Sequence, residues 1–96
     1  MIIHTVLFKF ADESRTQPAI EAVQNLMGKI PSLTSMKAGV NFSERSQGYQ
    51  MVLVSEHPDR QGFEEYRTHP EHIKVVEECF KPYEYEAHAG DFEVSD

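Results

Sequence analysis

IIHTVLFKF, residues 2–10, is the stretch of sequence that decides the fold of this chain. Its β-branched and aromatic side chains predict a β-strand, in which alternate residues lie on opposite faces. One face carries Ile2, His4, Val6, Phe8 and Phe10, and the other carries Ile3, Thr5, Leu7 and Lys9. A strand in a sheet with one solvent-exposed face would alternate apolar and polar residues, whereas both faces of this strand are largely apolar. The strand is therefore predicted to be covered on both sides.

An amphipathic helix is predicted next, because apolar residues recur at helical spacing: Ile20, Val23, Leu26 and Met27. Residues that favour a helix start lie upstream of it: Asp12, Ser14, Thr16 and Pro18. Gly28 and Pro31 mark its end. Residues 36–43 and 49–56 are predicted to form two further strands, and residues 43–48 the loop between them.

A second helical region is predicted from Pro58 to the residues before Pro82, and it is broken at His69-Pro70. Residues 83–94 follow as a last strand. The order is therefore β-α-β-β-α-β, the split βαβ arrangement of ferredoxin-like domains. The predicted fold class is α+β, with a four-stranded antiparallel sheet and helices on one face. Residues 1–96 form a single domain.

The uncovered face of the predicted sheet indicates a second copy of the chain. A monomer would expose an apolar patch of the kind that soluble proteins avoid. Two sheets packed face to face would cover both patches and close a dimeric α/β barrel around a two-fold axis. We therefore expect a homodimer formed by sheet-to-sheet packing.

The charge and composition of the chain exclude several classes of function. The formal net charge is −7, and the 9 Lys and Arg residues are scattered, so nucleic-acid binding is not expected. No apolar run is long enough to span a membrane. Cys79 is the only cysteine, so the chain has no intrachain disulfide. These features predict a cytoplasmic protein.

Histidine and tyrosine residues around the helix break are the candidates for chemistry. His69 is predicted at the N-cap of the restarted helix and His72 in its first turn, where the helix dipole disfavours an imidazolium. A neutral His72 could act as a base near pH 7. The hydroxyl of Tyr66 could reach the same space, and His4 would join them if its strand face looks toward the helices.

Structural interpretations of the same residues remain open. His4 could be a buried histidine that is hydrogen-bonded for structure alone, His69 a helix cap, and Tyr66 a core residue with its hydroxyl at the rim. His57 and His88 belong to no recognisable group of catalytic or metal-binding residues. His69 and His72 are spaced for a metal, but no third ligand is apparent, so neither a metal nor a cofactor is predicted.

Several segments together resemble the stress-responsive dimeric α/β-barrel family, often called Dabb. They are residues 3–10, 41–43, 46–49, 66–72, 80–82 and 91–94, and the likeness spans essentially the whole chain. The resemblance implies a homodimer of ferredoxin-like subunits. One branch includes a cofactor-free polyketide cyclase that uses a histidine and a tyrosine, at positions matched here by His72 and Tyr66, while His4 matches the family's strand histidine. Met51 stands where many members have another histidine.

Three functions follow as hypotheses. The first is a cofactor-independent proton-transfer or cyclase-type enzyme for a small aromatic or polyketide-like molecule, with His72 as general base, Tyr66 as hydrogen-bond donor and His4 as an orienting group. The second is a non-catalytic dimeric module, stress-related or binding a small apolar or aromatic ligand. The third is a cofactor-free monooxygenase with a related barrel.

Overall fold

The computed structural model describes residues 1–95 and has the predicted α+β architecture. Its elements are β1 (Ile2–Phe10), α1 (Thr16–Gln24), β2 (Ser35–Val40), β3 (Met51–His57), α2 (Arg60–Thr68), α3 (Pro70–Cys79) and β4 (Tyr85–Glu93). A short 3-10 helix, Glu13–Arg15, precedes α1. The four strands form one antiparallel sheet in the order β2-β3-β1-β4. The ferredoxin-like prediction, including the broken second helix, is confirmed.

Strand β2 is shorter than predicted, because the chain turns at Asn41. Its side-chain Oδ1 accepts a hydrogen bond from the Ser43 backbone N–H, and its Nδ2 donates to the Tyr49 carbonyl. Strand β3 begins at Met51, two residues later than predicted. The loop between them passes through a left-handed conformation at Gln47 and Gly48.

His69 both ends α2 and begins α3, as the sequence predicts. Its backbone is extended, and its Nδ1 accepts a hydrogen bond from the Glu71 backbone N–H at 3.1 Å. Pro70 occupies the first turn of α3, where its missing N–H would have no helical partner in any case. The break sets Tyr66 and His72 on consecutive helical segments that lie above the same part of the sheet.

The two faces of the sheet have different surroundings. The face that carries Val6, Phe8 and Phe10 packs under the helices and forms the core with residues such as Ile20 and Val23. On the outer face the strand register aligns apolar residues of neighbouring strands: Ile3 with Phe92, and Leu7 with Val52. Leu7 and Phe92 are 38% and 56% exposed in the single chain. The outer face therefore carries an apolar patch, among polar side chains such as Thr5 and Lys9, that the helices leave open.

Within residues 1–95, no helix has the length and apolarity needed to cross a membrane. Cys79, at the end of α3, is partly buried and packs against the core. The cytoplasmic location expected from the sequence stays a prediction.

Candidate functional site

A small cavity lies between the helices and the covered face of the sheet. Its volume is about 90 Å³, and its lining is largely apolar, with Val23, Leu53 and Phe80 among the wall residues. His4, Tyr66 and His72 also line it. The three residues singled out from the sequence are thus brought together around one partly open pocket, although their catalytic role stays a prediction.

In neutral His72 the Nε2 atom carries no hydrogen and can accept a proton. Its Nδ1 lies 3.0 Å from the carbonyl oxygen of Arg67, near the end of α2. Because a carbonyl oxygen can only accept, Nδ1 must carry the hydrogen, and Nε2 keeps its lone pair when the ring is neutral. Burial lowers the pKa of His72, so the neutral form is favoured at pH 7.

Tyr66 is buried in α2, and its phenol ring lies between two imidazoles. The ring centroids of His72 and His57 are 4.5 Å and 4.7 Å from that of Tyr66. Burial raises the pKa of Tyr66 to about 12, so its hydroxyl stays protonated at neutral pH. A protonated phenol held in this way can donate a hydrogen bond to an oxygen in the cavity.

His4 enters the site from β1 and is held from the neighbouring edge strand. Antiparallel pairing places His4 opposite Asp91 of β4, with both side chains on the helix-covered face. His4 Nδ1 is hydrogen-bonded to Asp91 Oδ1. The imidazole also packs against the ring of Phe63, with the centroids 4.9 Å apart.

His57 and Ser55 form a buried polar pair that was not predicted from the sequence. Both side chains are fully buried, and Ser55 Oγ lies 2.9 Å from His57 Nε2. The pair lies behind Tyr66 and does not line the cavity, so Ser55 is not placed to act as a nucleophile. The signal for it is the period of β3, since Met51, Leu53, Ser55 and His57 continue one buried face.

Acid is expected to destabilise the protein because of its buried histidines. Burial is the main cause that lowers the pKa of both His57 and His72. The folded state therefore binds fewer protons than the unfolded state, whose histidines titrate near pH 6.5. This contribution to stability is complete above about pH 6.5 and is lost as the pH falls through the lower pKa values of the folded state.

Urea unfolding between pH 7.5 and pH 5.5 would measure this loss. The free energy of unfolding should fall across the interval, and His72→Gln should make the fall smaller. A free energy that is constant or rises toward pH 5.5 would contradict the assignment.

The fold and the cavity define the protein as a ferredoxin-like α+β domain with a histidine- and tyrosine-lined pocket under its helices. The chain belongs to the stress responsive A/B barrel domain family, whose family model matches residues 2–94. The family predicted from the sequence is thereby confirmed. No curated protein shows significant sequence similarity to the chain.

Solved structures with the same fold come from bacteria and a plant. A dimeric ferredoxin-like protein of unknown function from Thermobifida fusca is 24% identical, with a TM-score of 0.81 over 97% of this chain and 90% of that one. A Dabb family protein from Mesorhizobium loti is 20% identical, with a TM-score of 0.81 and coverages of 99% and 97%. The hydroxynitrile lyase of Passiflora edulis is 16% identical, with a TM-score of 0.81 and coverages of 99% and 94%. At these identities the likeness shows the fold alone.

Proposed function

We propose that this protein is a cofactor-free enzyme that transfers a proton on a small carbonyl compound. The observation that carries the proposal is the pairing of His72 with Tyr66 at one cavity. The Nδ1 of His72 is committed to the Arg67 carbonyl, which leaves Nε2 as a base. The phenol ring of Tyr66 lies 4.5 Å away, centroid to centroid, and remains protonated. A neutral base beside a weak acid is the arrangement that general acid–base catalysis requires.

The proposed step is removal of a proton from a carbon next to a carbonyl group. His72 Nε2 takes the proton, and the electron pair of the broken C–H bond moves to the carbonyl oxygen. The Tyr66 hydroxyl donates a hydrogen bond to that oxygen as its negative charge develops. The apolar walls around Val23, Leu53 and Phe80 strengthen this hydrogen bond by lowering the local dielectric constant.

The volume of the cavity favours the smallest of the substrates that were expected from the sequence. An apolar cavity of about 150 Å³ holds benzene, whereas this one measures about 90 Å³. A compound of a few carbon atoms is therefore a better candidate for this pocket than a polyketide-like chain. The hydroxynitrile lyase of Passiflora edulis indicates, at the level of fold analogy, that this architecture can hold a lyase site for a small molecule.

Hydrogen–deuterium exchange tests the proposal directly. Propanal, butanone and cyclopentanone would each be incubated with the protein in D₂O, and loss of the α-hydrogen signal followed by NMR. We expect faster exchange than in buffer for at least one probe, and slower exchange in His72→Gln than in the wild type. If none of the probes exchanges faster with the wild type, the proposal is wrong. The non-catalytic module is then favoured, provided that His72→Ala lowers stability by about 1 kcal/mol through the lost hydrogen bond.

We also propose that the chain works as a homodimer through the outer face of its sheet. That face exposes the apolar side chains of Leu7 and Phe92, whose cross-strand partners are Val52 and Ile3 respectively. The related protein from Thermobifida fusca is described as dimeric. A second copy of the sheet packed there would bury the patch and complete the α/β barrel.

Leu7→Lys should dissociate this dimer, because it places a charge in the centre of an apolar interface. Sedimentation velocity at micromolar concentration should show the mass of two chains for the wild type and of one chain for the variant. Met27→Lys is the matched control, since Met27 is 44% exposed but lies in the turn after α1, away from the outer face. A dimer that persists in Leu7→Lys would contradict sheet-to-sheet packing.

A further inference from the structure

We infer that Asp91 is a positioning residue of the site, which holds His4 with its hydrogen on Nδ1 and so makes His4 a second base beside His72. The inference rests on the proposed function and adds a residue and a role to it. Neither the pairing of Asp91 with His4 nor a base at His4 follows from the order of elements, since β1 and β4 lie at opposite ends of the sequence.

The strand register brings the two side chains together. His4 and Asp91 are direct partners in the antiparallel pairing of β1 with β4, so both point toward the helices. The side chain of His4 is mostly buried and lines the cavity, whereas that of Asp91 is half-exposed at the sheet edge. Asp91 also lines a separate outer groove with Ile2 and Phe63. The pair therefore lies between the pocket under the helices and the outer groove beside β4.

The chemistry of the partner decides the protonation of the ring. An ionised carboxylate has no hydrogen to donate, so the hydrogen of the bond between His4 and Asp91 lies on Nδ1. Nε2 of a neutral His4 is then an unprotonated nitrogen on a ring that lines the cavity. His72 has the same arrangement, with Nδ1 committed to a carbonyl oxygen. The two imidazoles thus line the same small pocket, each with its Nδ1 hydrogen-bonded to an oxygen acceptor.

The two bases differ in the group that is hydrogen-bonded to their Nδ1. When His4 takes a proton at Nε2, its positive charge is balanced by the carboxylate of Asp91, as in a histidine–aspartate pair of a hydrolase. When His72 takes one, the partner of its Nδ1 is the neutral Arg67 carbonyl. In each case one C–H bond breaks, one N–H bond forms, and the electron pair moves to the substrate oxygen. A substrate with exchangeable hydrogens on both sides of one carbonyl group suits such a two-base site.

Glu93 shows that a carboxylate on this strand need not serve the site. It lies two residues beyond Asp91, and its Oε1 is 3.4 Å from Nε of Arg60, at the surface. It lines the same outer groove as Asp91 but not the cavity. Glu93→Ala is therefore a matched control, in which a carboxylate is removed from the same edge strand without touching His4.

Nitrogen NMR tests the position of the hydrogen without any substrate. Long-range ¹H–¹⁵N spectra of the imidazoles would be recorded at pH 8.5, about two units above the ordinary histidine pKa of about 6.5. We expect the Nδ1–H tautomer of His4 in the wild type, in Glu93→Ala and in Asp91→Asn, whose side-chain oxygen can still accept. Asp91→Ala should convert His4 to the Nε2–H tautomer and leave His72 unchanged. An Nε2–H tautomer of His4 in the wild type, or an unchanged tautomer in Asp91→Ala, would overturn the inference.

Exchange of butanone and cyclopentanone in D₂O then tests the role as a base. Asp91→Ala and His4→Gln should each slow the catalysed exchange at one of the two resolved α-positions of butanone by about 100-fold, the lower end of what a positioned acid–base group contributes, while His72 continues to exchange the other position. Asp91→Asn should fall between Asp91→Ala and the wild type, and Glu93→Ala should equal the wild type. Wild-type exchange in Asp91→Ala would overturn the second base while the proposed function stands. A wild type that exchanges no probe would overturn the proposed function and, with it, the role of His4 as a base.

Discussion

Tyr66→Phe should slow the catalysed exchange of the carbonyl probes by about 100- to 1,000-fold, the usual effect of removing one donor to a developing oxyanion. The substitution keeps the aromatic ring between His57 and His72 and removes only the hydroxyl. Stability should therefore change little, while the negative charge on the substrate oxygen loses its hydrogen bond. The measurement is the first-order rate of α-hydrogen loss in D₂O, at saturating and at limiting probe concentrations.

Tyr83→Phe is the control for this prediction. Tyr83 lies after α3, and its ring packs under the guanidinium of Arg15 at 4.2 Å, outside the cavity. Loss of its hydroxyl should leave the exchange rate unchanged. If Tyr66→Phe keeps the wild-type rate, the phenol is a core residue with no part in the chemistry, and the site is left with its histidines alone.

Phe80→Ala should lower the free energy of unfolding by about 3–5 kcal/mol, the range for a buried phenylalanine. Phe80 is 4% exposed at the end of α3. Its ring packs against three other aromatic rings at centroid distances of 4.9–5.8 Å: Phe8, Phe10 and Tyr85. The alanine would leave a space that these rings cannot fill without leaving their rotamers.

Phe42→Ala is the matched control, because Phe42 is 97% exposed in the loop after β2 and lies outside the core. Urea unfolding of both variants at pH 7.5 should show a large loss for Phe80→Ala and a change within about 0.5 kcal/mol for Phe42→Ala. Similar losses of unfolding free energy in the two variants would mean that burial of the Phe80 ring does not stabilise the packing of α3 on the sheet.

Much of the fold could be predicted because it depends on local patterns. The two-sided apolarity of β1, the break at His69-Pro70 and the order of elements are properties of neighbouring residues. The helix break also located Tyr66 and His72, since residues on either side of a helical restart remain close in space. His4 could be placed with them because the period of a strand assigns it to the same face as Val6 and Phe8.

The partners of these side chains could not be predicted in the same way. Asp91 pairs with His4 only because β4 lies beside β1 in one particular register, and a shift of one residue would turn Asp91 to the outer face. Ser55 and His57 continue the buried face of β3, but nothing in their spacing shows that Tyr66 would pack against His57. Side-chain partners far apart in sequence depend on the pairing of whole strands.

The residue pattern alone was enough to assign the split βαβ order, the covered face of β1 and the segment that carries Tyr66 and His72. Those assignments follow from periodicity and from the conformational limits of proline, which act within a few residues. The tertiary structure decided three further features. They are the pocket of about 90 Å³, the ring nitrogen left without a hydrogen in His4 and in His72, and the hydrogen bond of His4 with Asp91. They depend on the strand register and on close packing, and both arise only when distant segments meet.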